Sequence, residues 1–291
     1  MRISSSQIFN AGLDSVQRHT AEVLDAQRQI SSGNRYRVAS DNALAAGLGV
    51  QIQFNSVQFE MFKTNQNFAQ SNLDSTEAQL ESITRSVDRF KTLMVQANSS
   101  TLGAAERSTI ADELTTLKET IFQFASAKDP SGNAILKELD ASETSKVYVA
   151  TSIDMLTVIR FEEVMGRISS TASSGAGSYV DGLTVMEAAI NAIKASPPTQ
   201  PIISEQIFSD VESFSAQVLA AQVKIGTLGR QLESAMESAE TQNSNVALEK
   251  GLILETDLTA ATAQLTKSNA LLQAAQAIIS KLDINSLFQK L

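Results

Sequence analysis

The first third of the chain contains the sequence AQSNLDSTEAQLESITRSVDRFKTLM, which runs from Ala69 to Met94. Apolar or small residues recur in it at alternating intervals of four and three, at Ala69, Leu73, Thr76, Leu80, Ile83, Val87, Phe90 and Met94. This spacing is typical of a helix that buries one stripe against neighbouring helices. It extends over residues 42–99 without a proline, so it predicts a single helix about 85 Å long.

The same spacing recurs at residues 104–127 and at residues 204–243. The stripes consist of Ile110, Leu114, Leu117, Ile121 and Phe124 in the first segment, and of Ile207, Val211, Phe214, Val218, Ala221, Ile225, Leu228, Leu232, Ala235 and Ala239 in the second. All four prolines lie between Pro130 and Pro201, so both ends of the chain are free to form long helices. We expect the second half to fold back antiparallel on the first and to share one buried seam.

Weaker stripes occupy the two ends of the chain. Their main members are Phe9, Leu13, Val16, Val23 and Ile30 near the start, and Leu254, Leu258, Leu265, Leu272, Ile279 and Leu282 near the end. Thr20 and Gln27 interrupt the first stripe, and alanine and serine occupy much of the second. An isolated helix buries too little apolar area to offset an ordering entropy of ~1–2 kcal/mol per residue. Each stripe is therefore expected to need a partner helix.

The middle of the chain, residues 130–201, has a different composition. β-Branched and aromatic residues at Lys146–Thr151 and Leu156–Phe161 favour strands, whereas the Ser- and Gly-rich segment Ser169–Ser178 favours a loop. The sequence TVME, residues 184–187, has the form of a capping box and predicts a short helix that ends near Ala195. A small α+β insert is expected here.

Together these patterns predict a mainly α fold. It would be a long antiparallel helical rod or coiled-coil bundle, built from the N- and C-terminal halves, with a small central α+β insert. The predicted segments are an assembly helix and turn (1–41), the N-terminal half of the rod (42–129), the insert (130–201), the C-terminal half of the rod (202–250) and a C-terminal assembly helix (251–291).

Composition and charge disfavour several classes of function. The 291 residues carry a net charge of −9, which repels nucleic-acid backbones and anionic lipid head groups. We therefore expect neither nucleic-acid binding nor stable membrane insertion, and we predict no Sec-type signal and no transmembrane helix. The chain has no cysteine, which excludes disulfides and thiolate sites and is compatible with passage between redox compartments.

No catalytic, metal or cofactor site is predicted. The single histidine, His19, lies within the first helical pattern and is expected to be a solvated or interface residue. One histidine also excludes two-histidine zinc sites. The segment Gly47-Leu48-Gly49 lies within a helical pattern and lacks the third glycine of a dinucleotide loop. We expect a protein that is not an enzyme.

The densest motif is ISSGNRYRVASDN, residues 30–42. Gly33 and Asn34 tolerate positive φ and are predicted to end the first helix, while Ser40 and Asp41 offer N-cap oxygens for the long one. The residues predicted to form this assembly and turn motif are Ser31, Gly33, Asn34, Arg35, Ser40, Asp41 and Asn42.

This motif resembles the end of the first helix in the bacterial flagellin superfamily, which follows the pattern (L/I)-S-(S/T)-G-x-(R/K)-(I/V)-x-x-(A/P)-x-D-(D/N). Only Tyr36 departs from it, at a position that is usually aliphatic. The segment LETDLTAA, residues 254–261, is similar to the acidic start of the family's last helix. The segment IGTLGRQLE, residues 225–233, is similar to the family's (V/I)-G-x-x-x-x-(R/Q)-(L/I)-E segment. The resemblance covers residues 1–129 and 204–291.

The extreme ends of the chain are similar to one branch of this superfamily, the subunits at the junction between hook and filament. These typically open with M-R-(I/V)-S, as residues 1–4 do in this chain, and close near S-L-F, which matches the end motif Leu287 and Phe288. Lys137-Glu138-Leu139 departs from the aromatic-glycine segment that often follows their third helix. A short filament flagellin is the alternative, and a type III-secreted helical tether or translocator is a third hypothesis.

The resemblance implies a structural subunit of the bacterial flagellum that is exported unfolded by the flagellar type III apparatus with the help of an export chaperone. It would be secreted and would assemble with copies of itself as a ring between hook-associated protein 1 and flagellin. The terminal stripes would stay disordered in the monomer and pair only when neighbouring subunits supply the missing apolar faces.

Overall fold

The computed structural model describes residues 5–36, 38–137, 146–166, 168–170, 178–195 and 202–288. In chain order the elements are α1 (Ser5–Ser32), α2 (Ala43–Ala97), α3 (Ala104–Ala125), β1 (Lys146–Ala150), β2 (Ile153–Leu156), α4 (Phe161–Met165), β3 (Ile168–Ser170), β4 (Ser178–Val180), α5 (Gly182–Ala195), α6 (Glu205–Leu254) and α7 (Leu258–Phe288). The predicted fold class, mainly α with a small central α+β insert, is confirmed.

The chain divides into two compact units. One consists of Met1–Gln58 together with Thr241–Leu291, and the other of Phe59–Glu240. The first unit contains α1, α7 and the adjoining ends of α2 and α6. The second contains the rest of α2 and α6, together with α3 and the insert.

α2 confirms the predicted long helix. It has 55 residues and is therefore about 82 Å long. Every position of the predicted stripe from Leu48 to Met94 is buried or half-buried. Leu80, Ile83 and Phe90 are completely buried in the core of the second unit, and a side chain of this size contributes roughly 1.5–3 kcal/mol by leaving water.

α6 runs antiparallel to α2 within the second unit, as predicted. Near the end of α2, Asn98 Oδ1 accepts the backbone N–H groups of Ile202 and Ile203, each at 3.2 Å. Earlier in α2, Thr84 Oγ1 lies 3.5 Å from Oε1 of Gln222, further along α6. α6 continues to Leu254, well beyond the predicted end near residue 243, because neither a proline nor a turn interrupts it.

The insert begins with a hairpin that is attached to α2. β1 and β2 pair antiparallel, with an irregularity between Tyr148 and Ala150. The side-chain amides of Asn65 and Gln66 donate to the carbonyls of Tyr148 and Val149 at 2.8 and 2.6 Å. These two α2 side chains therefore hold the irregular part of the hairpin.

In the insert, the positions of one predicted strand and one predicted loop are wrong. The composition of Leu156–Phe161 predicts a strand, but β2 covers Ile153–Leu156 and Phe161 begins α4. The chain reverses direction in a tight turn of two residues directly after β1, so β2 begins at Ile153. The loop predicted for Ser169–Ser178 is wrong at its two ends, because Ser169 and Ser178 lie in β3 and β4, which pair antiparallel; residues 171–177 lie outside the described part.

The short helix of the insert, α5, also starts earlier than predicted. Asp181 Oδ1 accepts the N–H of Thr184 at 2.7 Å, so Asp181 is the N-cap and the capping box at Thr184 is wrong. Glu187 Oε2 instead lies 3.5 Å from Nζ of Lys118 on α3. The helix ends at Ala195 as expected and buries Val185, Met186 and Ile190, among others.

Candidate assembly site at the chain ends

The turn after α1 is the first part of the candidate site. Gly33 has a φ of +71°, in the left-handed region that favours glycine, and its N–H donates to the carbonyl of Gln29 at 2.9 Å. The N–H of Asn34 donates to Ser32 Oγ at 3.2 Å. The prediction that the first helix ends at Gly33 is confirmed.

A second turn, between α6 and α7, is joined to the first by backbone hydrogen bonds. The N–H of Arg35 donates to the carbonyl of Leu254 at 2.8 Å, and the N–H of Thr256 donates to the carbonyl of Gly33 at 2.9 Å. Asn34 and Glu255 form an antiparallel β-bridge. The motif at residues 30–42 and the acidic segment at residues 254–261 therefore lie side by side.

The start of α2 is capped by Asn42, whose Oδ1 accepts the N–H of Ala45 at 3.0 Å. Asp41 accepts the N–H of Val38 at 3.1 Å instead, and Ser40 is exposed. The predicted caps at Ser40 and Asp41 are therefore wrong, because the cap belongs to the residue directly before the first helical one, Ala43.

The start of α7 is capped by Asp257, whose Oδ1 accepts the N–H groups of Thr259 and Ala260 at 2.9 and 3.0 Å. The assignment of Leu254 to the terminal helix is wrong, because Leu254 is the last residue of α6. Its side chain lies against Gly49, where an added Cβ would be 3.3 Å from Leu254 Cδ2.

α1 and α7 pack against each other in opposite directions. Next to the turns, Arg35 meets Leu254, and midway along the helices Glu22 meets Ser268. Towards the free ends, a Cβ on Gly12 would lie only 3.0 Å from Cγ1 of Ile279. The first and last helices therefore form an antiparallel pair within one chain. The expectation that only neighbouring subunits cover these stripes is wrong in this respect.

Three polar side chains meet midway along the α1–α7 helix pair. Ser268 is completely buried, and its Oγ donates to Glu22 Oε2 at 3.1 Å. His19 Nδ1 lies 3.0 Å from the same oxygen. The hydrogen bond from His19, and after it the one from Ser268, hold the pKa of the Glu22 carboxyl below its ordinary value of 4.5. His19 is an interface residue, as expected.

These three side chains do not form a serine–histidine–acid triad. The serine hydroxyl donates to the carboxylate and not to the imidazole, so the imidazole does not lie between the serine and the acid. Among the residues that the structure describes, no group of three or more His, Asp or Glu is placed to hold a metal ion. In that same part of the chain, no helix is long and apolar enough to cross a membrane.

The contact between α1 and α7 buries mainly small side chains. Among the side chains that the structure describes on these helices, the buried ones are Ala26, Ala261, Ser268 and Ala275. Several larger apolar side chains point away from the contact and are 41–57% exposed, namely Leu13, Leu24, Leu258, Leu271 and Ile278. The pair thus has a thin interface and leaves an apolar outer surface.

The structure describes the burial of only some members of the predicted assembly stripes. The half-buried members are Val16, Val23, Ile30, Leu265, Leu272 and Ile279. α1 turns Gly12, His19 and Ala26 towards α7 instead of Leu13, Thr20 and Gln27, and Gly12 and Ala26 allow a close approach. The side chains of Phe9, Leu282, Leu287 and Phe288 lie outside the described residues, as do residues 1–4 and 138–139.

An open hollow of about 700 Å³ lies beside the first turn. Charges of both signs line it, including Asp25, Arg28, Arg35 and Asp41, together with the predicted motif residue Ser31. The guanidinium of Arg35 lies 5.6 Å from the centre of the Tyr36 ring. The hollow is therefore a surface of mixed charge.

Two family regions match this chain. The bacterial flagellin N-terminal helical region matches residues 3–140, and the bacterial flagellin C-terminal helical region matches residues 208–291. The chain belongs to the bacterial flagellin family. The two matched regions of the flagellin family contain the paired chain ends and most of the long helices, and the insert lies largely between them.

Relatives within the flagellin family match over most of their length. Flagellar hook-associated protein 3 of Escherichia coli is 20% identical over 314 aligned residues, which cover 99% of both chains. Flagellin of Bacillus subtilis is 22% identical over 275 residues, covering 87% of this chain and 86% of that one. The crystal structure of the flagellar junction protein FlgL from Legionella pneumophila is 15% identical, covers 71% of this chain and 99% of that one, and has a TM-score of 0.57. That likeness shows the same fold.

Proposed function

We propose that this flagellin-family protein is the structural subunit that forms the junction between the hook and the filament of the bacterial flagellum. The observation that carries the proposal is the similarity to hook-associated protein 3, which extends over 99% of both chains. The aligned region therefore includes the central insert as well as the two helical halves of the chain.

The paired chain ends supply the surface for assembly. α1 and α7 bury small residues between them and leave Leu13, Leu258, Leu271 and Ile278 exposed. A thin interface with an apolar outer surface gains stability when further helices cover it. Folding of the terminal helices is then coupled to contact with neighbouring subunits, which are copies of this chain within the ring.

The subunits on either side of the ring would be hook-associated protein 1 and flagellin. Export would proceed through the flagellar type III apparatus with a chaperone, so that the protein works outside the cell at the hook–filament junction. The chain has no cysteine, so its passage from a reducing to an oxidising compartment needs no thiol chemistry. We propose a structural role without catalysis, cofactor or metal.

Deletion of the gene tests the proposal. The expected result is bare hooks in electron micrographs, while unpolymerised flagellin accumulates in the culture medium. Expression of the intact chain from a plasmid should restore filaments and remove the soluble flagellin. Loss of filaments with no other flagellin in the medium would overturn the proposal in favour of a filament flagellin.

A further inference from the structure

A polar layer lies in the contact between α1 and α7, where the other buried side chains that the structure describes are Ala26, Ala261 and Ala275. In it, Ser268 Oγ donates to Glu22 Oε2 at 3.1 Å and lies 3.2 Å from Nε2 of Gln264. His19 holds the same carboxylate oxygen from one turn earlier on α1, at 3.0 Å. Ser268 is completely buried, so its hydroxyl depends on partners inside the helix pair.

The neighbouring positions along α7 cannot replace this contact. One turn before Ser268 the stripe contains Leu265, and one turn after it Leu272, both half-buried. If α1 slipped by one turn along α7 in either direction, the Glu22 carboxylate would face one of these leucines. Ser268, which is completely buried, would then lose its carboxylate acceptor.

The backbone hydrogen bonds of Arg35 and Thr256 join α1 and α7 at one end, beside the two turns. Gly33, Arg35 and Glu255 are exposed there. Glu22 and Ser268 lie three to four helical turns away from that point. Beyond them, Ile279 packs against Gly12 in an apolar contact that has no directional hydrogen bond.

We infer that Glu22 and Ser268 set the register in which the first helix pairs with the last, with His19 positioning the Glu22 carboxylate. A single buried polar contact in an apolar helix seam is a known way to specify one register at some cost in stability. This register is a property of one chain and does not depend on the proposed junction function.

Disulfide cross-linking measures the register directly, because the full chain has no cysteine of its own. Two double variants are compared under mild oxidation. Gly12→Cys with Ile279→Cys reports the observed register, and Gly12→Cys with Ala275→Cys reports a shift of one turn. In an otherwise unchanged chain, the first pair should cross-link at least about tenfold more than the second.

Ser268→Ala is then introduced into both double variants, with Ser280→Ala as the matched control. Ser280 lies exposed on the same helix. Ser268→Ala should reduce the cross-linking preference about tenfold, in keeping with loss of a buried hydrogen bond to a charged group. Ser280→Ala should leave the preference unchanged.

Changes at Glu22 distinguish the hydrogen bond from the charge. Glu22→Gln keeps an acceptor oxygen for Ser268 and should retain most of the preference, whereas Glu22→Leu should lose it. An unchanged preference in both Ser268→Ala and Glu22→Leu would overturn the inference. Equal cross-linking of the two pairs in the otherwise unchanged chain would also overturn it, because the chain would then have no fixed register.

Discussion

The N–H of Arg35 donates to the carbonyl of Leu254 across the two turns that connect the terminal helices to α2 and α6, with a nitrogen–oxygen distance of 2.8 Å. These residues are more than two hundred positions apart in the sequence. Their contact places the start of the last helix beside the end of the first. The left-handed conformation of Gly33 allows the chain to make it.

Gly33→Ala should weaken this contact, because a Cβ in the left-handed region costs about 1–2 kcal/mol. Gly47→Ala is the matched control, since Gly47 lies inside α2 with nothing within 4 Å of an added Cβ. It should be neutral or stabilising by up to about 1 kcal/mol. Hydrogen exchange at the amides of Arg35 and Thr256 should accelerate in Gly33→Ala only. Equal exchange in the two variants would contradict the assigned backbone role.

The terminal helices should exchange their amide hydrogens much faster than the helices of the core. α1 and α7 bury mainly alanine and serine against each other, whereas α2 buries Leu80, Ile83 and Phe90. Local opening is easiest where little apolar area is buried. Hydrogen exchange followed by mass spectrometry on a verified monomer measures the difference. Protection of α1 and α7 equal to that of α2 and α3 would contradict coupling of their folding to assembly.

Leu265→Asp and Leu272→Asp should each abolish incorporation into the flagellum. Both leucines are half-buried at the contact of the terminal helices, where a carboxylate would lack partners. Gln273→Asp, an exposed position on the same helix, is the control and should assemble normally. The readouts are filament number and soluble flagellin, together with circular dichroism to check the fold. Normal filaments with either leucine variant would show that the stripe is misplaced.

Gly182 in the insert is needed for packing against α6. An added Cβ would overlap the ring of Phe214, which is completely buried, and would lie only 2.8 Å from its Cζ. Gly182→Ala should therefore destabilise the protein by about 1–3 kcal/mol. Gly226→Ala in α6, where an added Cβ meets nothing within 4 Å, should not. Thermal unfolding compares them, and an unchanged midpoint in Gly182→Ala would contradict the close packing.

The pairing of the terminal helices should weaken at low pH. The hydrogen bond from His19, and to a smaller extent the one from Ser268, hold the pKa of Glu22 below 4.5. Ionised Glu22 therefore stabilises the helix pair at pH values above about 4.5. That contribution is lost as the pH falls through the lowered pKa of the folded state. Ser268→Ala should raise the pKa of Glu22 towards 4.5, and Ser280→Ala should not. Carboxyl carbon NMR measures both, and an unshifted titration in Ser268→Ala would show that the serine hydroxyl does not lower this pKa.

Periodicity was sufficient to predict the long helices. The stripe from Leu48 to Met94 and the one from Ile207 to Ala239 are buried or half-buried throughout, because a repeat of four and three residues places side chains on one helical face. The turn at Gly33 was also predictable from the sequence, because a backbone with positive φ favours glycine. The family was also recognisable from these local motifs.

The orientation of α1 was beyond the reach of periodicity. Its stripe predicted Leu13 and Thr20 at the contact, yet Gly12 and His19 lie there. A spacing of three and four defines a face only to within about one position, and the partner helix decides between the choices. In this pair, the close approach of Ile279 to Gly12 selects the face with the smaller residue.

The sequence by itself determined the family, the presence of the long helices and the turn at Gly33, since these depend on neighbours within a few residues. Only the tertiary structure decided that Asn42 caps α2 in place of Ser40, that the turns at Arg35 and Leu254 meet, and that Ser268 finds Glu22. Such choices depend on distances between groups that are remote in sequence or equivalent in chemistry. Polar side chains of similar capping ability cannot be ranked until the backbone places one of them within hydrogen-bonding distance.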